Sequence, residues 1–341
     1  MQKRARRILL IVLVMALGLT LAGVAKEALH IYTAYDADQA EVYIAAFEAS
    51  HPDIDVQWVR LSSGQVLARI RAEAANPQAS LWFGGSNTSH IAAAQDDLLA
   101  PYKESLAWQY MPAQFKDPDG LWIGLYVGYI GFVSNTEFLA KAGVDAPTSW
   151  EDLLKPEFKN EISLAYPFSS GTAYTTLCGM LTAIGSPDPG FDAQDDAYLA
   201  AFDKQVHHYN ESGSACITQV GQGEVGVGIG FSHDILSKGI AKGYPVVMTF
   251  PKEGTSYEIG GMALIKGAPE PELAKIFYDW ALSKEAQDLY KQFFRIPLNP
   301  AAELAEGSVT ATDVQVLPVN LVWYGENKDD IIDHWHEVTG K

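Results

Sequence analysis

Cysteine is scarce in this sequence, with only Cys178 and Cys216 among its 341 residues. The sequence contains no Cys-x-x-Cys pair, and no spacing of its histidines indicates a metal site, so it predicts no metal site and no cofactor. Two cysteines can form a disulfide if the chain is exported to an oxidising compartment. They can also remain two separate buried thiols, and the residues leave both alternatives open.

Basic residues are also few, since 24 Lys and Arg stand against 42 Asp and Glu, for a formal net charge of −18. A surface this acidic repels the phosphates of nucleic acids and anionic lipid head groups. Neither nucleic acid nor a membrane surface is therefore expected as a binding partner. The charge favours solubility instead.

One apolar run is long, and it lies at the N-terminus. Four basic residues within the first seven precede an uncharged run that ends at Ala25. This arrangement is typical of a secretory signal peptide, so we predict that residues 1–25 direct export to the periplasm or another extracytoplasmic space and are then removed. A retained anchor helix is the alternative, because the run is near the lower length limit for spanning a bilayer.

The rest of the chain, roughly 315 residues, is longer than one hydrophobic core usually serves, which predicts two domains. At its start, strand-like and helical patterns alternate. Strand-like residues at 29–35 and 54–61 each precede a helical pattern, at 37–50 and 65–75. This alternation predicts an α/β fold with a mainly parallel sheet. Farther along, one helix is predicted over 271–294.

Two segments are predicted to cross between the domains, which we call lobes. Apolar residues interrupted by glycine at 121–135 are typical of an extended crossing segment. An apolar strand that begins at Ile259 would then return the chain to the first lobe. The predicted division is 26–128 and 259–341 in lobe 1 and 129–258 in lobe 2, with a cleft between them.

Four turns follow predicted strands, and ligands bind at this edge of open α/β sheets. Three of the turns consist of Ser, Gly and Thr, whose amides and hydroxyls can bind an anion at a helix start without any arginine. Each turn alone can be explained as a helix cap, but four in one topological position favour a phosphate, phosphonate or carboxylate site. The residues predicted to bind the anion are Tyr35, Ser62, Ser63, Gly64, Gly85, Ser86, Ser170, Gly171 and Thr172.

Three more polar residues are predicted to reach the same cleft. His233 and Asp234 follow a glycine-rich strand at 224–231, and Glu258 lies at the predicted return crossing. Neutral histidine offers one donor and one acceptor, and carboxylates offer acceptors, which suits sugar hydroxyls or an amine. The alternatives are a helix cap at Asp234 and a hinge salt bridge at Glu258.

Four stretches, at 82–86, 168–174, 253–261 and 279–287, resemble the extracellular solute-binding proteins of ABC importers. The resemblance is to the branch that includes ferric-iron, thiamine, phosphonate and sugar-phosphate binders. It implies a type II periplasmic-binding-protein fold, in which two lobes joined by two hinge strands close around a ligand. It also implies a monomer without enzymatic activity that delivers a small anionic ligand to the membrane permease of an ABC transporter.

Within this branch the resemblance favours a hexose phosphate. Ferric-iron members carry adjacent tyrosines after the strand that here is followed by His233 and Asp234, so high iron affinity is not expected. His233, Asp234 and Glu258 look like the hydroxyl-binding set of the hexose-phosphate binders. Ser63 and the Gly-Thr turn would then hold the phosphate. The alternative is a small organophosphonate such as an aminoalkylphosphonate, with ferric iron or thiamine less favoured.

Two other classes of protein use similar residues. An exported hydrolase would need a nucleophile and a base, but the sequence has no Gly-x-Ser-x-Gly elbow and no metal-spaced cluster. Ser232 and His233 would point to opposite faces if both extended the strand. A sensory partner of a membrane receptor would need the same cleft, so the sequence does not separate it from a transport protein.

Overall fold

The computed structural model describes residues 26–185 and 192–341, and the predicted signal peptide lies outside them. Within that part of the chain the strands are β1 (Glu27–Thr33), β2 (Ile54–Arg60), β3 (Leu81–Ser86), β4 (Leu99–Ala100), β5 (Ile123–Asn135), β6 (Ile162–Ala165), β7 (Val206–Asn210), β8 (Val227–Phe231), β9 (Val246–Thr249), β10 (Tyr257–Ile265) and β11 (Ile296–Pro297). The helices are α1 (Ala37–Ser50), α2 (Ser63–Ala72), α3 (Asn87–Gln95), α4 (Leu106–Tyr110), α5 (Thr136–Ala142), α6 (Gly171–Ile184), α7 (Ala193–Asp203), α8 (Ala215–Gly221), α9 (Ser232–Asp234), α10 (Pro271–Ala281), α11 (Lys284–Asp288), α12 (Leu321–Glu326) and α13 (Lys328–Thr339). Among the described residues, no helix combines the length and the apolar character needed to cross a bilayer.

The first lobe contains a sheet with the strand order β2-β1-β3-β10-β5. β1 pairs in parallel with β2 and β3, while β10 runs antiparallel to β3 and to the first half of β5. α1 and α2 connect the parallel strands, as the alternation in the sequence predicted. Aromatic rings fill the core, and the ring centroid of Phe277 lies 4.7 Å from that of Phe47 and 5.1 Å from that of Phe83.

The second lobe contains a sheet with the order β5-β8-β6-β7. β6 is parallel to β7 and β8, whereas the second half of β5 is antiparallel to β8 and β9. α6 and α8 pack against β6 and β8. Both lobes are therefore α/β units with helices against a mixed sheet.

β5 belongs to both sheets and joins the lobes. Its residues 123–129 pair with β10, and its residues 130–134 pair with β8. The chain returns between β9, which pairs with the second half of β5, and β10, which pairs with the first half. Two hinge strands thus connect two lobes, which confirms the predicted type II periplasmic-binding-protein fold.

The prediction of one continuous helix over 271–294 is wrong. The Ser283 hydroxyl accepts a hydrogen bond from the Ala286 amide at 3.1 Å and begins a new helix, because a serine satisfies the free amides of a helix start. Phe294 then adopts a left-handed conformation with φ 55° that ends the helical segment. This reversal places Arg295 just before β11, which pairs with the hinge strand β5.

The C-terminal helices pass from one lobe to the other. α12 packs against α3 of the first lobe, whereas α13 lies against α7 of the second lobe. The buried ring of Trp335 in α13 packs edge-on against Tyr166 and Tyr209. α13 also lies against α3, and its Asp329 pairs with Arg71 of the first lobe, so this helix contacts both lobes. The predicted division of the chain into lobe 1 and lobe 2 stays a prediction.

Candidate ligand-binding site

A polar cavity lies between the lobes and opens to solvent. Its lining residues come from both lobes and are Ala34, Asp36, Arg60, Ser62, Ser63, Gly85, Tyr126, Ser170, Gly171, Thr172, Ser212, Gly213, Ser214, Phe231, His233, Asp234, Glu258 and Arg295. All but three of the residues predicted to bind ligand are among them. The fold thus brings the anion-binding turns and the histidine and carboxyl groups to one place, while their role in binding stays a prediction.

Tyr35, Gly64 and Ser86 are the three predicted residues that do not line the cavity. The Tyr35 ring is buried in the core, and its hydroxyl bonds to that of a second tyrosine at 3.0 Å. The Gly64 N–H donates to the Ser169 carbonyl of the other lobe at 2.9 Å, so an anion cannot use it. The Ser86 N–H donates to the Ser63 hydroxyl at 3.3 Å. All three contribute packing or hydrogen bonds around the cavity instead.

The starts of α2 and α6 meet at the cavity, one from each lobe. Ser62 precedes α2, and its hydroxyl donates to the Glu211 carbonyl of the second lobe at 2.9 Å. A Cβ atom at Gly171 would lie 2.8 Å from the Ser63 hydroxyl oxygen, so glycine permits this close approach. Thr172, in the first turn of α6, is partly exposed and lines the cavity. Amides and hydroxyls at two helix starts form a surface that attracts an anion.

Arg60 adds a positive charge to this surface, contrary to the expectation of an anion site without arginine. It ends β2, and its guanidinium donates to Asp36 Oδ1 at 2.8 Å, to Ser212 Oγ at 3.1 Å and to Ser62 Oγ at 3.3 Å. The sequence did hold a signal for it, because the carboxyl end of a parallel strand faces the ligand site in this kind of sheet.

Arg295 is a second arginine at the cavity and is only 4% exposed. Its Nε and Nη2 donate to the Gln39 side-chain oxygen at 3.2 and 2.9 Å, and its Nη1 lies 2.8 Å from Nε2 of His233. The guanidinium carbon lies 4.3 and 5.0 Å from the ring centroids of Tyr126 and Tyr35, a favourable cation–π geometry. Sequence reasoning missed Arg295 because His233 and Gln39 are 62 and 256 residues away along the chain.

Burial controls the ionisation of three groups beside Arg295. It raises the pKa of Glu258 to about 8, although the charge of Arg295 opposes the shift. It also raises the pKa of Asp234, against the attraction of Arg295 and Lys238. The pKa of His233 lies well below its usual value because of burial and then because of the two cations. At neutral pH the imidazole is therefore neutral and Glu258 holds a proton.

Two buried polar atoms of this cluster, Nδ1 of His233 and Oδ1 of Asp234, have no hydrogen-bond partner within residues 26–185 and 192–341. Buried polar atoms in folded proteins are normally paired. Both residues line the cavity. A ligand in the cavity can supply the partners that the protein does not.

Hydrogen bonds and an ion pair join the two lobes around the cavity. Asp36 of the first lobe accepts a hydrogen bond from the Ser214 hydroxyl of the second lobe at 2.7 Å and forms an ion pair with Lys238. Burial raises the pKa of Asp36, but the positive charges of Lys238 and Arg60 outweigh it and bring the pKa to about 2. The two lobes are thus in direct contact beside the cavity, and we call this arrangement the closed form.

Cys178 and Cys216 are both free and buried, one in α6 and the other in α8. Burial raises the pKa of both thiols above the usual value, which disfavours the reactive thiolate. Of the two alternatives that the sequence left open, the structure contains separate thiols.

Two lobes, two hinge strands and a polar cleft between the lobes define the class of this protein, which is a solute-binding protein of ABC import systems. The class accounts for the shared contribution of both lobes to one cavity. More specifically, the chain belongs to the family of bacterial extracellular solute-binding proteins, whose model matches residues 33–288.

Three relatives extend this assignment. An uncharacterised protein of Haemophilus influenzae is 34% identical over 334 residues, or 94% of each chain. The putative 2-aminoethylphosphonate-binding periplasmic protein of Salmonella typhimurium is 26% identical over 84% of this chain and 83% of the relative. The solved structure of the periplasmic binding protein AfuA from Actinobacillus pleuropneumoniae, with exogenous fructose 6-phosphate bound, is similar with a TM-score of 0.86 at 32% identity. The match covers 93% of this chain and 99% of that chain.

Proposed function

We propose that this protein binds a small phosphorylated solute, with a hexose phosphate favoured, and delivers it to the membrane permease of an ABC importer. One observation carries the proposal. The same interlobe cavity is lined by an anion-attracting group of residues and by a buried group that suits hydroxyls. A ligand that satisfies both groups needs a phosphate and a polar, uncharged body.

The phosphate would lie at the starts of α2 and α6. Ser63 and Thr172 offer hydroxyl donors there, and the guanidinium of Arg60 reaches the same region through its bond to Ser62. Helix starts and arginine both bind phosphate oxygens well, because their N–H groups and positive charge converge on the anion. Neither group needs a metal ion for this purpose.

The body of the ligand would lie against His233, Asp234 and Glu258. Hydroxyls can accept and donate hydrogen bonds at once, so they can pair with both unpartnered buried atoms of the cluster. The similarity at 32% identity to AfuA with fructose 6-phosphate bound supports this choice of ligand class.

An aminoalkylphosphonate is the second candidate, and the phosphonate-binding relative favours it. An ammonium group would need an uncompensated carboxylate in the cleft. Glu258 holds a proton below about pH 8, and Arg295 lies 3.7 Å from Oδ1 of Asp234 and offsets its charge. The cleft therefore suits uncharged hydroxyls better than an ammonium, and we place the phosphonate second.

Isothermal titration calorimetry of the mature protein tests the proposal. We expect glucose 6-phosphate or fructose 6-phosphate to bind more tightly than inorganic phosphate and than the free sugar, because only the phosphorylated sugar contacts both groups. Tighter binding of 2-aminoethylphosphonate than of either sugar phosphate would reverse the order of the two candidates. Absence of binding to all phosphorylated ligands would overturn the proposal.

The remaining parts of the proposal concern the cell biology of the chain. We propose export by the signal peptide at residues 1–25, function as a monomer, and no catalysis or nucleic-acid binding. Mass spectrometry of the secreted protein should show a new N-terminus near Lys26. After incubation, nuclear magnetic resonance should recover glucose 6-phosphate unchanged. Turnover of the ligand would instead favour a hydrolase.

A further inference from the structure

Arg295 has fixed partners on several sides, which makes it a rigid element of the cleft. Gln39 accepts from two of its nitrogens, and the rings of Tyr35 and Tyr126 lie over its guanidinium. The side chain is 4% exposed, so water does not compete for these contacts. The Nη1 group that remains is directed at Nε2 of His233, at 2.8 Å.

This contact determines where the proton of His233 lies. An arginine guanidinium is always protonated and can only donate, so Nε2 of His233 must accept. A neutral imidazole that accepts at one nitrogen carries its proton on the other. The proton is therefore on Nδ1, the atom that has no partner among the described residues.

The cluster consequently contains one unpaired donor and one unpaired acceptor, in two residues that line the cavity. Nδ1–H of His233 can donate to a ligand oxygen, and Oδ1 of Asp234 can accept from a ligand O–H. A hydroxyl group offers both functions, or two neighbouring hydroxyls share them. An ammonium group has three donors and no acceptor, so it leaves Nδ1–H unpaired.

We propose that Arg295 determines ligand specificity by holding the proton of His233 on Nδ1, so that the cluster binds a hydroxyl-bearing phosphorylated ligand and rejects its ammonium analogue. This inference rests on the proposed function, because it concerns the same cleft. Arg295 is a positioning residue in this role, since it acts through His233.

The position of the proton can be measured directly in the wild-type protein. Long-range proton–nitrogen correlation spectra of protein with 15N-labelled histidine distinguish the two tautomers, and His233→Gln assigns the signal by its loss. We expect a protonated Nδ1 and an unprotonated Nε2 at His233. A proton on Nε2 would overturn the inference without any further variant.

Specificity for a hydroxyl over an ammonium group is tested by measuring the affinities of 2-hydroxyethylphosphonate and 2-aminoethylphosphonate. These two compounds differ only in that group. We expect the wild type to prefer the hydroxyl compound by about tenfold or more, the usual effect of one unpaired buried donor. Arg295→Met should reduce that preference to within about threefold, because His233 then changes tautomer freely.

Arg69→Met is the matched control. Arg69 also lies over a tyrosine ring, at 4.8 Å, and pairs with Glu73, but it does not line the cavity. This variant should keep the full preference. If Arg295→Met does not fold, the tautomer of His233 in the wild-type protein still decides the inference, because that measurement needs no Arg295 variant.

The outcomes separate the inference from the proposed function. The role of Arg295 is contradicted if the folded Arg295 variant keeps the full preference for the hydroxyl compound. It is also contradicted if the wild type prefers the ammonium compound. Failure of both sugar phosphates to bind, together with the expected tautomer and hydroxyl preference, contradicts only the proposed ligand class.

Discussion

The carboxylate of Asp36 in the first lobe accepts a hydrogen bond from the hydroxyl of Ser214 in the second lobe, with 2.7 Å between the oxygens. Lys238 of the second lobe pairs with the same carboxylate, and Arg60 of the first lobe donates to its other oxygen. One acidic side chain thus bonds to both lobes at the cavity. Asp36 contributes to the closed arrangement, because opening would separate it from both of its partners on the second lobe.

Asp36→Asn should therefore shift the protein toward the open form. The substitution leaves Lys238 and Arg60 without their anion in the closed form, whereas in the open form water can solvate them. We expect a larger radius of gyration in small-angle scattering of the ligand-free protein, and about tenfold weaker ligand binding.

Asp97→Asn provides the control for this prediction. Asp97 pairs with Lys266 within the first lobe and is 81% exposed, and exposed pairs of this kind contribute little. It should leave both the dimensions and the affinity unchanged. Equal behaviour of the two variants would show that the Asp36 contacts do not hold the lobes together.

Thr172→Val and Ser63→Ala should weaken the binding of a phosphorylated ligand more than the binding of its unphosphorylated analogue. Each removes a hydroxyl from the helix starts at which we place the phosphate, and loss of one hydrogen bond to a charged group weakens binding by about tenfold or more. Thr182→Val in the same helix is the control, since the Thr182 hydroxyl donates to the Cys178 carbonyl and does not line the cavity. Equal losses for both ligands would remove the phosphate from this position.

Glu258→Gln should change how stability depends on pH. The folded protein keeps a proton on Glu258 up to about pH 8, whereas the unfolded chain releases it near the ordinary value of 4.5. The wild type therefore loses free energy of unfolding as the pH rises from about 5 to 8, by linkage. Glutamine mimics the protonated acid, so the free energy of unfolding of the variant should fall less over the same pH range.

Thermal unfolding between pH 5 and pH 8 measures this difference. About 1 kcal/mol shifts the melting temperature of a chain of this size by roughly 2–4 °C, so we expect the fall across that range to be a few degrees smaller in Glu258→Gln. Glu272→Gln, at a side chain that is 79% exposed, should behave as the wild type. If the melting temperatures of Glu258→Gln and the wild type fell equally between pH 5 and pH 8, Glu258 would ionise normally.

Gly128→Ala should disturb the cleft through His233. A Cβ atom at position 128 would lie 2.5 Å from Cε1 of the imidazole, so the ring must move from its present position. We expect about tenfold weaker binding with a folded protein, because a displaced imidazole no longer pairs with the ligand. Gly230→Ala in β8, where the nearest atom would be 3.4 Å away, is the control. Unchanged binding in Gly128→Ala would mean that the position of His233 is not required.

The sequence by itself determined the features that depend on neighbouring residues. Strands and helices alternate over the first lobe because their apolar periods are local, and the polar turns at strand ends follow from the same order. This is why Ser62, Ser63, Thr172 and His233 were predicted at the cleft without knowledge of the fold. All four line the cavity.

Only the tertiary structure decided which atoms face the ligand and which are already paired. Gly64 follows Ser63 directly, yet its amide is taken by a carbonyl of the other lobe. Arg295 enters the cleft because the helical segment before it breaks and its partners come from distant strands and helices. Such contacts depend on strand order and on lobe closure, and these arise from long-range pairing that no local pattern encodes.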